Sequence, residues 1–167
     1  MILNHSILIA YFKDLASNLK DINHFFRMNL TEIMGAFRST ATFPCMVVES
    51  HEGDFGNSSV IASINNITFA FTIYTNPAHD DYDAQDTQLA TAEEIGIKIL
   101  ARMRHDAAQP SQILYNRFKI ENVTYSKVGP IFNEQLFGYR FQGTIKLQEP
   151  LIVNPDDWDD APTICTT

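Results

Sequence analysis

The side chains able to do chemistry are few in type and scattered along the chain. Four aspartates crowd one stretch, Asp80, Asp81, Asp83 and Asp86, and Asp81-x-Asp83-x-x-Asp86 has the outline of a calcium loop. An EF-hand loop also needs a central glycine for its sharp turn and a terminal bidentate glutamate. Neither is in place, so the stretch reads as an acidic loop that leads into a helix. The five histidines are His5, His24, His51, His79 and His105. None stands at i, i+4 from another or at finger spacing from a cysteine, as zinc ligation requires. His79 beside Asp80 makes no ligand set. No metal is expected.

Nucleophilic and cofactor chemistry fare no better. The chain has no Gly-x-Ser-x-Gly elbow, and its seven glycines form neither a dinucleotide fingerprint nor a phosphate loop. Cys45 lies in the apolar run Phe43-Pro44-Cys45-Met46-Val47-Val48, where a thiol behaves as a small buried hydrophobe. With Cys165 it makes one possible pair, not a disulfide framework, which favours a reducing compartment. No cofactor and no catalytic residue is expected. Two carboxylates that meet only in space stay open as an acid–base pair.

The elements that would position these groups can be read from periodicity. Leu8, Tyr11, Phe12, Leu15, Ala16 and Leu19 are spaced by three and four, an amphipathic helix over residues 5–20 opened by Asn4 or Ser6. The N-terminal segment reads as that helix, not as a signal peptide, because it lacks a basic flank. A short helix is expected over 32–38, opened by Asn29 or Thr31. A strand follows at 43–49, with Pro44 at its edge or start. Residues 51–59 carry Gly53, Asp54, Gly56, Asn57 and Ser58, which is loop chemistry. Over 59–75, Ile67, Phe69, Phe71 and Ile73 alternate with smaller or polar residues, a strand that Asn65-Asn66 can divide into a hairpin.

The strongest helix is expected at about 86–106. Asp86 or Thr87 would cap it, Glu93 and Glu94 sit in its early turns, and Arg102, Arg104 and His105 lie near its end, each suited to the helix dipole. Leu89, Ala92, Ile95 or Gly96, Ile99 and Met103 make its core stripe, and Pro110 stops it. Strands at 113–128 and 136–147 follow, separated by the break Gly129-Pro130 and the polar turn Asn133-Glu134-Gln135. In the second, Phe137, Tyr139, Phe141, Gly143, Ile145 and Leu147 share one side.

The sum is an α+β fold: a mostly antiparallel sheet covered by a long helix and an N-terminal helix, in one domain over 1–153. An extended acidic tail, 154–167, carries Asp156, Asp157, Asp159, Asp160 and Trp158. A chain of 167 residues can bury a core without a metal or disulfide. Its net charge of −8 argues against a phosphate-backbone binder, because no Lys/Arg stripe is present. No run of about 20 apolar residues occurs to span a bilayer. Most aromatics stand at core spacing. Phe132, Phe137 and Trp158, by turns or in the tail, are the candidates for a subunit or partner interface.

Several of these phrases resemble the tail terminator (tail-completion) and neck proteins of tailed bacteriophages. The resemblance spans about residues 5–152 and rests on five features. These are an N-terminal helix, a strand near Phe43-Pro44, the strand Ile67–Tyr74 leading into the long helix, the late strand about Tyr115–Ile120, and Val128-Gly129-Pro130-Ile131-Phe132-Asn133 before Phe137-Gly138-Tyr139-Arg140-Phe141. It implies a structural virion protein, assembled in the host cytoplasm, with no catalysis. It implies a closed homo-oligomeric ring, a hexamer in that family, that meets the tail tube and the neck or connector proteins. DNA would pass through without sequence-specific binding, and no membrane is involved. Asp80, Asp81 and Asp83 would then suit an acidic pore. The alternatives are a non-catalytic protein-binding adaptor and a small enzyme with a carboxylate site.

Overall fold

The computed structural model describes residues 3–28, 41–56, 63–78, 80–131 and 136–159. The expected short helix at 32–38, His79, Phe132 and Cys165 lie outside them. Two α-helices and a six-stranded mixed sheet make the described fold. Helix α1 is His5–Asn18, and α2 is Tyr82–Ala107. The strands are β1 His24–Arg27, β2 Cys45–Val48, β3 Glu52–Gly56, β4 Ser63–Thr75, β5 Thr124–Ile131 and β6 Leu136–Glu149. The sheet order is β1-β2-β4-β6-β5, with β3 paired to β4 beside that path. Only the β1–β2 pair is parallel.

Both helices lie on one face of the sheet. Leu8, Phe12, Leu15 and Ala16 of α1 and Ala92, Ile95, Ile99, Leu100 and Met103 of α2 close over Met46, Val48, Ile67, Phe69, Phe71, Ile73, Phe141, Ile145 and Leu147. Aromatic rings run through this layer. Phe12 sits 5.5 Å from Phe69 and 5.8 Å from Phe71, and Phe71 stacks on Phe141 at 5.1 Å between centroids. Gly96 lets α2 approach β6, since a Cβ there would stand 2.0 Å from the Phe141 ring. The opposite sheet face has a smaller cluster of Phe26, Cys45, Val47, Tyr74 and Leu136.

Several boundaries differ from the sequence expectation. Asp81, not Asp86 or Thr87, caps α2: its Oδ1 accepts from the Ala84 amide at 2.9 Å. The helix gains a turn and runs 26 residues. Residues 52–56 are a strand, not a loop, because β4 extends past Asn65-Asn66 without turning and offers β3 a ladder. Asn66 Nδ2 donates to Asp54 Oδ2 at 3.0 Å, so the polar side chains support the pairing that their types disfavour. The expected strand 113–128 starts only at Thr124. Before it, Asn116 takes a positive φ of 56° and Ile120–Asn122 form a 3-10 turn. Gly129 and Pro130 do not end β5 but shift its register between Val128 and Ile131, with Gly129 at φ 103°.

Candidate functional site

Cys45 is wholly buried, and burial pushes its thiol up to about 12. A thiolate is not formed there near neutral pH, so Cys45 is a packing residue.

The most enclosed carboxylate is Asp106, in the last turn of α2, where its side chain is 2% exposed. Tyr11 Oη of α1 donates to its Oδ2 at 2.8 Å, and Arg102 Nε donates to its Oδ1 at 2.9 Å. His105 Nδ1 stands 3.4 Å from the same Oδ1. Burial pushes the Asp106 carboxyl up, but the hydrogen bonds from Arg102, Tyr11 and His105 outweigh it and hold the carboxyl below its ordinary range. Burial and the neighbouring carboxylate together raise the Tyr11 phenol. The group is a charged tie between the C-terminal end of α2 and the middle of α1. Its proton positions are held, not poised for exchange.

A second charged group lies on the sheet face away from the helices. Arg140 of β6 grips Glu49 with two bonds, Nε to Oε1 at 2.6 Å and Nη2 to Oε2 at 2.8 Å. Its Nη1 also donates to Gln142 Oε1 at 2.6 Å. The fork binds the end of β2 to β6 across β4, since Arg140 is opposite Thr72 and the Glu49 amide bonds Ala70. Among the described residues, no three His, Cys, Asp or Glu side chains converge as a metal site. No buried side-chain polar atom among them lacks a partner.

The acidic loop separates into distinct parts. Asp81 is occupied as the helix cap, Asp83 sits in the first turn of α2, and Asp80 is exposed ahead of them. The interface candidates divide as well. Phe137 is 7% exposed, packed within its own chain, with Lys127 Nζ 5.8 Å from its ring. It stands in β6 as expected, and the packing of that strand buries it although the turn before it is close. Trp158 is 57% exposed.

Trp158 has company. Beyond Glu149 the chain continues as a strap in which Leu151, Ile152 and Val153 are 64, 79 and 50% exposed. Ile152 N donates to Pro150 O at 2.6 Å, which bends the strap where it leaves β6. Pro155–Asp157 form a 3-10 turn capped by Asn154, with the Trp158 amide bonded to Pro155 O at 3.2 Å. That turn brings Trp158 and Asp157 around the same hollow as Leu151, Ile152 and Val153. The strap is thus an apolar hook with acids on it.

A cleft of about 500 Å³ lies beside the last part of β6. It is lined by Ile64, Tyr115, Asn116, Arg117, Lys146, Leu147 and Gln148. Arg117 Nη1 donates to Ile113 O at 3.0 Å, and the Lys146 amide donates to Arg117 O at 2.9 Å. The first bond lies within the loop after α2, and the second ties that loop to β6 beside the cleft. Its charged lining is basic.

Neither a comparison with models of known protein families nor one with curated proteins finds a match for this chain. Sequence reasoning singled out Trp158 but passed over Leu151, Ile152 and Val153. The signal was present as three adjacent apolar residues between Pro150 and Pro155, ahead of an acidic run. The Tyr11–Asp106 and Glu49–Arg140 pairs, 95 and 91 residues apart, left no such signal.

Proposed function

We propose that this protein is a structural subunit that works by assembling with copies of itself, as a tail terminator or neck component that forms a ring at the head–tail junction of a tailed phage particle. The strap carries the reading. Four large apolar side chains within eight residues, each at least half exposed, cost solubility unless another surface covers them. What supports the particular assembly is the order of elements on which the resemblance rests: α1, a strand after Phe43-Pro44, β4 leading into α2, and a closing β5–β6 pair. The net charge of −8 suits a channel wall that DNA slides past without sticking.

Light scattering on a sizing column across a concentration series tests the reading. A discrete species of about six chains of 18.9 kDa, seen as a ring with a channel in electron micrographs, is the expected result. A monomer at every concentration would leave the strap without a self-partner and favour an adaptor for another protein. In the phage setting, Asp80→Asn with Asp83→Asn is expected to slow DNA passage and lower infectivity. Unchanged infectivity would remove those residues from the channel wall.

A further inference from the structure

The strap and the cleft differ in a complementary way. The strap presents Leu151, Ile152, Val153 and Trp158 together with exposed Asp156, Asp157 and Asp159. The cleft presents Tyr115, 39% exposed, and half-buried Ile64 beside Arg117 and Lys146. Exposed Lys119 and Ile120 follow in the same loop. One surface is apolar and acidic, the other apolar and basic. The strap lines none of its own cleft, and the hollow it encloses is made of strap residues alone. Nine fully extended residues would span at most roughly 30 Å, and the bend at Pro150 and the turn at Pro155–Asp157 bring the reach of the strap from the end of β6 below that.

We propose that the strap of one copy seats in the Tyr115–Arg117–Lys146 cleft of the next copy. Trp158 and the Leu151–Val153 run cover Tyr115 and Ile64, while Asp156 and Asp157 meet Lys146 and Lys119. Acids lie near the cleft as well, exposed Glu121 directly after Ile120 among them. Asp54 stands across Lys146 in a neighbouring hollow, where it accepts from Asn66, and Glu149 lies at the end of β6. Because strap and cleft are different surfaces, the contact is head-to-tail. Repeated around an axis it closes a ring, and unclosed it grows a filament. This inference rests on the self-assembly reading and names the contact that drives it.

Charge reversal in the full-length protein tests it. Asp156→Lys with Asp157→Lys, and separately Lys119→Glu with Lys146→Glu, are each expected to weaken self-association at least tenfold by light scattering. All four sites are exposed, so the circular dichroism spectrum and urea midpoint should stay as in the wild type. Combining the four changes in one chain restores opposite charge across the contact and should recover association to within about threefold of wild type. Each double variant alone has a strap and a cleft of the same sign, so an equimolar mixture of the two should assemble again with the variants alternating, each strap meeting a cleft of opposite charge only on the other variant. If the wild type associates and the reversals leave it unchanged, or the combined variant is not restored, the strap–cleft contact is wrong while self-assembly stands. If the wild type never associates, both fail.

Discussion

The helix-covered layer and the C-terminal strap are built from the same kinds of side chain and use them in opposite ways. Phe12, Phe71 and Phe141 are fully buried, locked by one another and by the close approach at Gly96. Trp158 and Ile152 are 57 and 79% exposed, and among the described residues the segment that bears them is shaped by local turns. An apolar residue covered by its own chain serves folding. One left uncovered by the described residues suits another surface. The difference should therefore appear as a separation of effects, with core changes moving stability and strap changes moving association.

The largest expected loss is in the layer itself. Phe141→Ala should cost about 3–5 kcal/mol by urea denaturation, since it removes the ring that Phe71, Tyr125 and Gly96 all contact. Gly96→Ala should cost about 2–3 kcal/mol, because the new methyl meets that ring and must push α2 off the sheet. A smaller loss, about 2 kcal/mol, is expected for Asp106→Asn, which leaves Tyr11 an acceptor but removes the charge facing half-exposed Arg102. This one depends on pH. The folded-state value of Asp106 is held below 3.8. Its contribution is therefore present above the unfolded value and lost as pH falls through the lower folded value. Acid denaturation of Asp106→Asn should lack that part of the pH slope, and an identical slope in both proteins would show that the tie carries no charge. Next comes Glu49→Gln, at about 1 kcal/mol, since the fork with Arg140 is a quarter to a third exposed. Smallest for stability, within about 0.5 kcal/mol, is Ile152→Asp with Trp158→Ala. The same variant should abolish self-association on a sizing column. A large drop in its urea midpoint would place the strap in the core and end the contrast.

Much of the helix-covered layer was legible because its periodicity is strong. Leu8, Phe12 and Leu15 marked α1, and Asn4 caps it as its type suggests, accepting from the Ile7 amide at 3.0 Å. The alternation from Phe137 to Leu147 marked β6. The misread parts are those where tertiary pairing overrode local type. Gly53, Asp54 and Gly56 disfavour a strand, yet β4 supplies a ready edge. Ile113 to Val123 looked extended, yet Asn116 at φ 56° and the 3-10 turn coil it around the cleft. The candidate surface was half legible. Trp158 stood out as the single tryptophan, but the basic cleft needs Arg117 and Lys146, 29 positions apart, to be brought together by a backbone bond.

Cys45 has one more use. It lies wholly enclosed on β2, between β1 and β4, with its thiol pushed up to about 12. A thiol reagent can reach it only when those strands part. In a Cys165→Ser background the rate at which Cys45 is labelled is then an opening clock for the far side of the sheet. Because the strap lies elsewhere, that clock should run at one speed whether the strap is bound or free, unless assembly tightens the whole subunit.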